Sequence, residues 1–118
     1  DAAEYVRLLQ LVYDAAHRVH PGISILAAPL APTLEPLGSP NGLNDLLYLE
    51  QMYEAGLANA ADALAVHTYG FTNPPDAAPA FDRLNFRRAE LLHDIMVRYG
   101  DEDKPVYLTE TGWNDHPR

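Results

Sequence analysis

The chain has 118 residues, 47% hydrophobic and 21% charged, a balance that suits one globular domain and leaves too little chain for a second independent core. Seventeen acidic against eight basic residues give a formal net charge of −9, and with no Lys or Arg run to track a phosphate backbone, nucleic acid is not an expected partner. The longest apolar stretch, Ile23 to Leu30, is broken by Ser24 and Pro29 and falls well short of the roughly 18 to 20 residues of a membrane span, while the absence of cysteine excludes disulfides and thiolate metal sites.

From Ala2 to Val19, apolar residues at Tyr5, Leu8, Leu9, Val12, Ala16 and Val19 recur at steps of three and four, which predicts an amphipathic helix. His20-Pro21-Gly22 ends it. The helix begins directly after Asp1, with no basic n-region or apolar h-region before it, so no signal peptide is read there and the start is taken as one inside a longer protein. Ile23 to Ala28 is a short apolar run bounded by Gly and Pro, which fits a strand buried on both faces. Pro29 to Asn44 is rich in proline, has no apolar period and is expected to be a long loop. Asn44 or Asn41 can cap a second helix through Leu46, Leu47, Leu49, Met52 and Tyr53, with Gly56 as its stop.

Ala63 to Tyr69 reads as a second strand, followed by the proline-rich loop Gly70 to Pro79. A third helix is expected from Asp82 to Tyr99, with Leu84, Leu91, Leu92, Ile95, Met96 and Tyr99 facing inward and Gly100 ending it. Asp101-Glu102-Asp103 then leads to a third strand, Pro105 to Glu110. Alternation of helices and strands at this spacing predicts an α/β fold with parallel strands joined by helical crossovers, either a doubly wound sheet or a (β/α)8 barrel. The loops after the strands are long and carry aromatic and polar groups, as in a barrel with its chemistry at the C-terminal face. No glycine-rich phosphate loop follows a strand.

The chemistry concentrates at two strand ends. Thr109-Glu110-Thr111-Gly112-Trp113 puts a carboxylate beside an indole, and a carboxylate at a strand terminus is costly unless it is partnered or used. An ion pair with a nearby Arg is the plain alternative. His67-Thr68-Tyr69 ends the preceding strand, and strand alternation puts His67 and Tyr69 on one face. There they could hydrogen-bond Glu110, or serve only as satisfied core side chains. His17, His20, His93 and His116 form no metal-binding spacing, and no metal or cofactor is expected.

A strand ending Thr-Glu-Thr-Gly-Trp, preceded by one ending His-Thr-Tyr, resembles strands seven and six of the clan A glycoside hydrolases. The resemblance covers the whole chain, residues 1–118, from helix four to just past strand seven of a (β/α)8 barrel. It implies a retaining hydrolase of β-linked glycosides in which Glu110 attacks the anomeric carbon, His67 and Tyr69 orient its carboxylate, and Trp113 lies along the sugar. Retention requires a second carboxyl group about 5 to 5.5 Å away as acid and then base. In the family this Glu follows an Asn at the end of strand four, which would fall before Asp1, and the sequence contains no Asn-Glu pair. Glu35, Asp45, Asp76 and Asp115 are the available substitutes, each expected to be a solvated loop carboxylate. The expected partners are a carbohydrate substrate and either the rest of the barrel or a second copy of the chain, since three parallel strands leave open edges and an uncovered face. The competing functional class is a non-catalytic carbohydrate-binding or self-associating βα module that uses Trp113, Tyr69 and Phe71.

Overall fold

A computed structural model describes residues 1–114; Asp115 and His116 lie outside the described residues. The order is helix α1 (Ala2–Val19), strand β1 (Leu26–Ala27), helix α2 (Asp45–Glu54), strand β2 (Ala63–Phe71), helix α3 (Arg88–Arg98) and strand β3 (Val106–Trp113). The three strands form one sheet in the order β1-β2-β3, and both pairings are parallel. Among the described residues the fold is therefore α/β, with three parallel strands and three α-helices, as the alternating pattern requires.

α1 starts in a capping box in which the Asp1 carboxylate accepts from Glu4 N at 2.8 Å. Its buried stripe is Ala2, Val6 and Leu9, with Tyr5 packed beside it. Leu8, Val12 and Val19, expected to face inward, are exposed together with Leu11. The helix is apolar on two sides, and only one of them meets this core.

β1 is shorter than the six residues expected, and of its two only Ala27 is buried. Side chains take the place of the ladder at both ends. The Asp62 carboxylate accepts from Ile25 N at 2.8 Å, and Ala28 N donates to the Tyr5 hydroxyl at 2.7 Å. Both backbone donors are thus satisfied without strand geometry. Asp62 also accepts from the Tyr13 hydroxyl at 3.2 Å and lies 3.5 Å from His17 Nε2, tying α1 to the start of β2.

α2 takes its cap from Asn44, whose side-chain oxygen accepts from Leu46 N at 3.0 Å. Gly56, at φ +102°, turns the chain after it. α3 begins at Arg88, six residues later than the apolar pattern suggests, because Asn85 competes for the backbone. Its side-chain amide donates to the carbonyls of Ala77 and Ala78, both at 2.9 Å, and holds that segment in turns. Leu84 consequently belongs to the loop and is only partly buried, while Tyr99 is 39% exposed. β3 continues past Glu110 to Trp113, three residues further than expected.

Residues of all three helices form a single hydrophobic cluster with Ala27 of β1 and with Leu64 and Val66 of β2; Leu49, Met52, Ile95 and Met96 are its most enclosed members. The side chains of His67 and Tyr69 fall on the opposite face by strand alternation.

One ion pair clamps the helices at the C-terminal end of the sheet. Arg88 Nε and Nη2 donate to the two oxygens of Asp45 at 2.9 and 2.6 Å, and both side chains are about 1% exposed. Arg88 also donates to the Arg83 carbonyl at 3.1 Å. Arg88→Ala and Asp45→Ala should each cost roughly 3–5 kcal/mol, because either leaves a buried charge unpaired. Urea unfolding checks this through the transition midpoint, and a loss below about 1 kcal/mol would mean that the site fills with water and the clamp is weak.

Candidate functional site

Side chains placed side by side in a parallel pair share a face, so the register of β2 against β3 decides where Glu110 points. Leu64 pairs with Val106, Ala65 with Tyr107 and Val66 with Leu108; an irregularity then intervenes, and His67 pairs with Glu110. The extra residue on β3 is Thr109. Were β3 to run in regular register through Thr109, Glu110 would pair with Thr68, share the parity of Leu108 and face the helical layer. The one-residue slip brings it to the face of His67 and Tyr69 instead.

On that face the Tyr69 hydroxyl donates a short hydrogen bond to Glu110 Oε2. His67 Nδ1 lies 3.6 Å from the same oxygen, too long for a direct hydrogen bond yet close enough for charge to be felt if the ring is protonated. The Glu110 side chain is 58% exposed, while that of His67 is 19% exposed. The Tyr69 phenol is held above its ordinary pKa, first by its hydrogen bond to Glu110, then by burial and by the carboxylate's charge. Tyr69 consequently remains a donor at neutral pH. The sequence-predicted trio of His67, Tyr69 and Glu110 meets at the C-terminal end of the sheet.

Trp113 stands apart from that contact. Its Nε1 donates to the Asn73 carbonyl at 2.9 Å, and its ring lies 5.3 Å from that of Phe86. The indole rests on Gly70 so closely that a Cβ built there would be 1.8 Å from Nε1. Asn73 in turn donates to the carbonyls of Gly70 and Leu84 at 3.3 and 3.1 Å. The loop after β2 is thereby folded back onto the end of β3. Beside it, Phe71 has φ +51°, a conformation costing a bulky residue on the order of 1–3 kcal/mol. A cleft of about 300 Å³ opens here, walled by Tyr69, Phe71, Gly112, Trp113 and Asn114.

The substitute carboxylates lie elsewhere. Asp45 is not a solvated loop group: it is buried in the ion pair with Arg88, because α2 starts at this residue and α3 delivers the guanidinium to it. Glu35 accepts from the Ser39 hydroxyl at 2.5 Å and lines a groove of about 480 Å³ between α2 and α3 with Leu37, Phe81 and Arg98. That groove was not legible in the sequence, since its walls combine two helices and two loops that lie far apart along the chain. Asp76 takes part through its carbonyl, which accepts from Arg87 at 3.2 Å. His17 is engaged with the Tyr13 carbonyl, at 2.9 Å from Nδ1. Among the described residues, no group of three or more His, Cys, Asp or Glu side chains is arranged to hold a metal ion.

No protein family, curated protein or solved structure matches the chain.

Gly70→Ala should drive the Trp113 indole off the end of β2, because the new methyl meets a rigid ring rather than the end of a flexible chain. The cost is expected at roughly 1–3 kcal/mol. Trp113 is the single tryptophan, so its emission reports the displacement directly. A spectrum and midpoint equal to those of the parent would show that the indole does not rest on Gly70 in solution.

Proposed function

We propose that this chain is part of a retaining glycoside hydrolase acting on β-linked glycosides, that it belongs to a (β/α)8 barrel, and that Glu110 is the nucleophile. The observation that carries the reading is the Tyr69–Glu110 hydrogen bond, with His67 beside the same oxygen, at the C-terminal end of a parallel sheet. Barrel enzymes keep their chemistry at that end. The motif resemblance supports the same residues.

In this mechanism Tyr69 and His67 load Oε2 and fix the carboxylate plane, and Oε1 attacks the anomeric carbon. The C–O bond to the leaving group breaks as that oxygen is protonated, and a glycosyl ester on Glu110 remains. Water, giving its proton to the carboxylate left by the acid, then attacks the anomeric carbon, breaks its bond to Glu110 and frees the sugar with retention. A phenol that stays protonated supports an ionised nucleophile by hydrogen bonding to it. The proton donor to the leaving group is a carboxyl group outside this chain: Asp45 is sequestered by Arg88, and Glu35 is bound to Ser39 in a groove of the helical layer. Trp113 contributes to the sugar site from the rim of the aromatic cleft.

The remainder of the barrel, or a second copy of the chain, is the proposed macromolecular partner. α1 carries Leu8, Leu11, Val12 and Val19 at 46–87% exposure, and on the edge strand β3 Tyr107 and Leu108 are 49% and 43% exposed. Surfaces of this kind associate. The same observation favours the competing reading of a self-associating module without turnover. Sedimentation of the 118-residue chain at micromolar concentration should give a dimer or larger species, and Leu8→Glu with Leu11→Glu should lower its mass. A folded, stable monomer would exclude this partner assignment.

Chemical rescue separates enzyme from module. In the protein carrying this chain together with its acid/base carboxylate, Glu110→Ala should abolish hydrolysis of an aryl β-glycoside. Added azide should restore turnover of an activated substrate and release a glycosyl azide of inverted configuration, since it enters where the carboxylate stood. A rescued product of retained configuration would assign Glu110 to acid/base catalysis, and full activity of the mutant would remove it from the chemistry.

A further inference from the structure

Phe71 ends β2 in a conformation that an aromatic residue rarely adopts. Its φ is +51°, yet the adjacent Gly70, which could take a left-handed turn without strain, does not have a positive φ. The strain therefore falls on the bulky neighbour. Core burial does not offset it, because Phe71 remains 40% exposed. The result is a ring 5.9 Å from that of Tyr69 and tilted 55° to it, standing as a wall of the 300 Å³ cleft with Gly112, Trp113 and Asn114. Tyr69, the other wall, is the residue that donates to Glu110.

Strained residues held by their surroundings cluster where a ligand needs a particular side chain in a particular place. The cleft is at the small end of the range for ligand sites, and aromatic rings form most of its lining. Phe71 has no polar atom to offer, so what it can bind is an apolar surface of matching flatness. The C–H face of a pyranose ring is such a surface.

We infer that Phe71 is a substrate-binding residue: its backbone presents the ring as a stacking platform for one pyranose unit of a β-glycoside, in the cleft next to the Tyr69–Glu110 contact. The inference rests on the reading of Glu110 as nucleophile and adds the subsite to it. It also explains why the chain keeps Phe rather than Gly at a left-handed position.

The test is a set of variants in the active protein carrying this chain: Phe71→Ala, Phe71→Gly and Phe71→Trp, assayed with an aryl β-glycoside and melted in parallel. Removal of the ring should raise KM roughly three- to tenfold in both small variants, with kcat/KM falling alongside, whereas Phe71→Trp should stay close to the parent. Phe71→Gly should melt above Phe71→Ala, because glycine tolerates φ +51°. Stability and affinity thus move differently between these two variants. If Phe71 only shapes the loop, KM will instead follow stability, with Phe71→Gly the milder change, and the inference is wrong. An unchanged KM in Phe71→Ala also overturns it and leaves the nucleophile reading intact. A parent protein with neither turnover nor binding of β-glycosides overturns both together.

Discussion

The buried pair of Asp45 and Arg88 is the constraint on which the upper half of the molecule depends. It joins the first residue of α2 to the first residue of α3, and those are the points at which the two long loops after β1 and β2 end. Arg88 also reaches the carbonyls of Arg83 and Thr33, at 3.1 and 3.5 Å, so the guanidinium holds one residue from each loop. Charges so enclosed are tolerated only when every donor is met. The loop after β2 is then anchored at its far end by Arg88 and crosslinked within by Asn73 and Asn85, and Phe86 and the Asn73 carbonyl are positioned for Trp113.

Below the clamp, the molecule divides along the sheet. The helix side carries the apolar side chains and most of the stability, since each fully buried Leu, Ile or Met contributes about 1.5–3 kcal/mol. The opposite face carries His67, Tyr69 and Glu110, which add little to a core. The division depends on register. Thr109 is the residue by which β3 slips against β2, and it changes the parity of Glu110 to Gly112 until a second irregularity, between Tyr69 and Phe71, restores the register at Trp113. Glu110 faces its hydrogen-bonding partner because of that slip and not because of the alternation of the strand.

The elements were legible in the sequence where one signal dominated. α1 and α2 followed from their period and caps, and β2 from its apolar run between polar loops. β1 and the start of α3 were misjudged for one shared reason: a side chain took over a backbone hydrogen bond. Asp62 and Tyr5 capture the amides that would have lengthened β1, and Asn85 captures the carbonyls ahead of α3. Local hydrophobicity carries no trace of such partners, whether they lie seven or eight residues away, as for Asn85, or more than twenty, as for Asp62 and Tyr5. The trio at the sheet's end was legible because its residue types are unusual at strand termini. The slip at Thr109 and the clamp on Asp45 were not, since both arise from pairings between distant segments.

Asp45 and Glu110 illustrate how position assigns different roles to the same functional group. Asp45 sits at the N-terminus of a helix, where the dipole favours its charge, and receives two N–H donors from a guanidinium that cannot release its proton. Its electron density is committed in both oxygens. Glu110 receives one hydroxyl, on Oε2, with an imidazole near the same oxygen, and is largely open to solvent, and neither neighbour is a permanent cation. A carboxylate held in that way keeps its orientation and an uncommitted oxygen, as the proposed attack on a carbon centre demands. Exchanging the two environments would leave the net charge of the chain unchanged, yet it would turn an open, half-committed carboxylate into a structural pin.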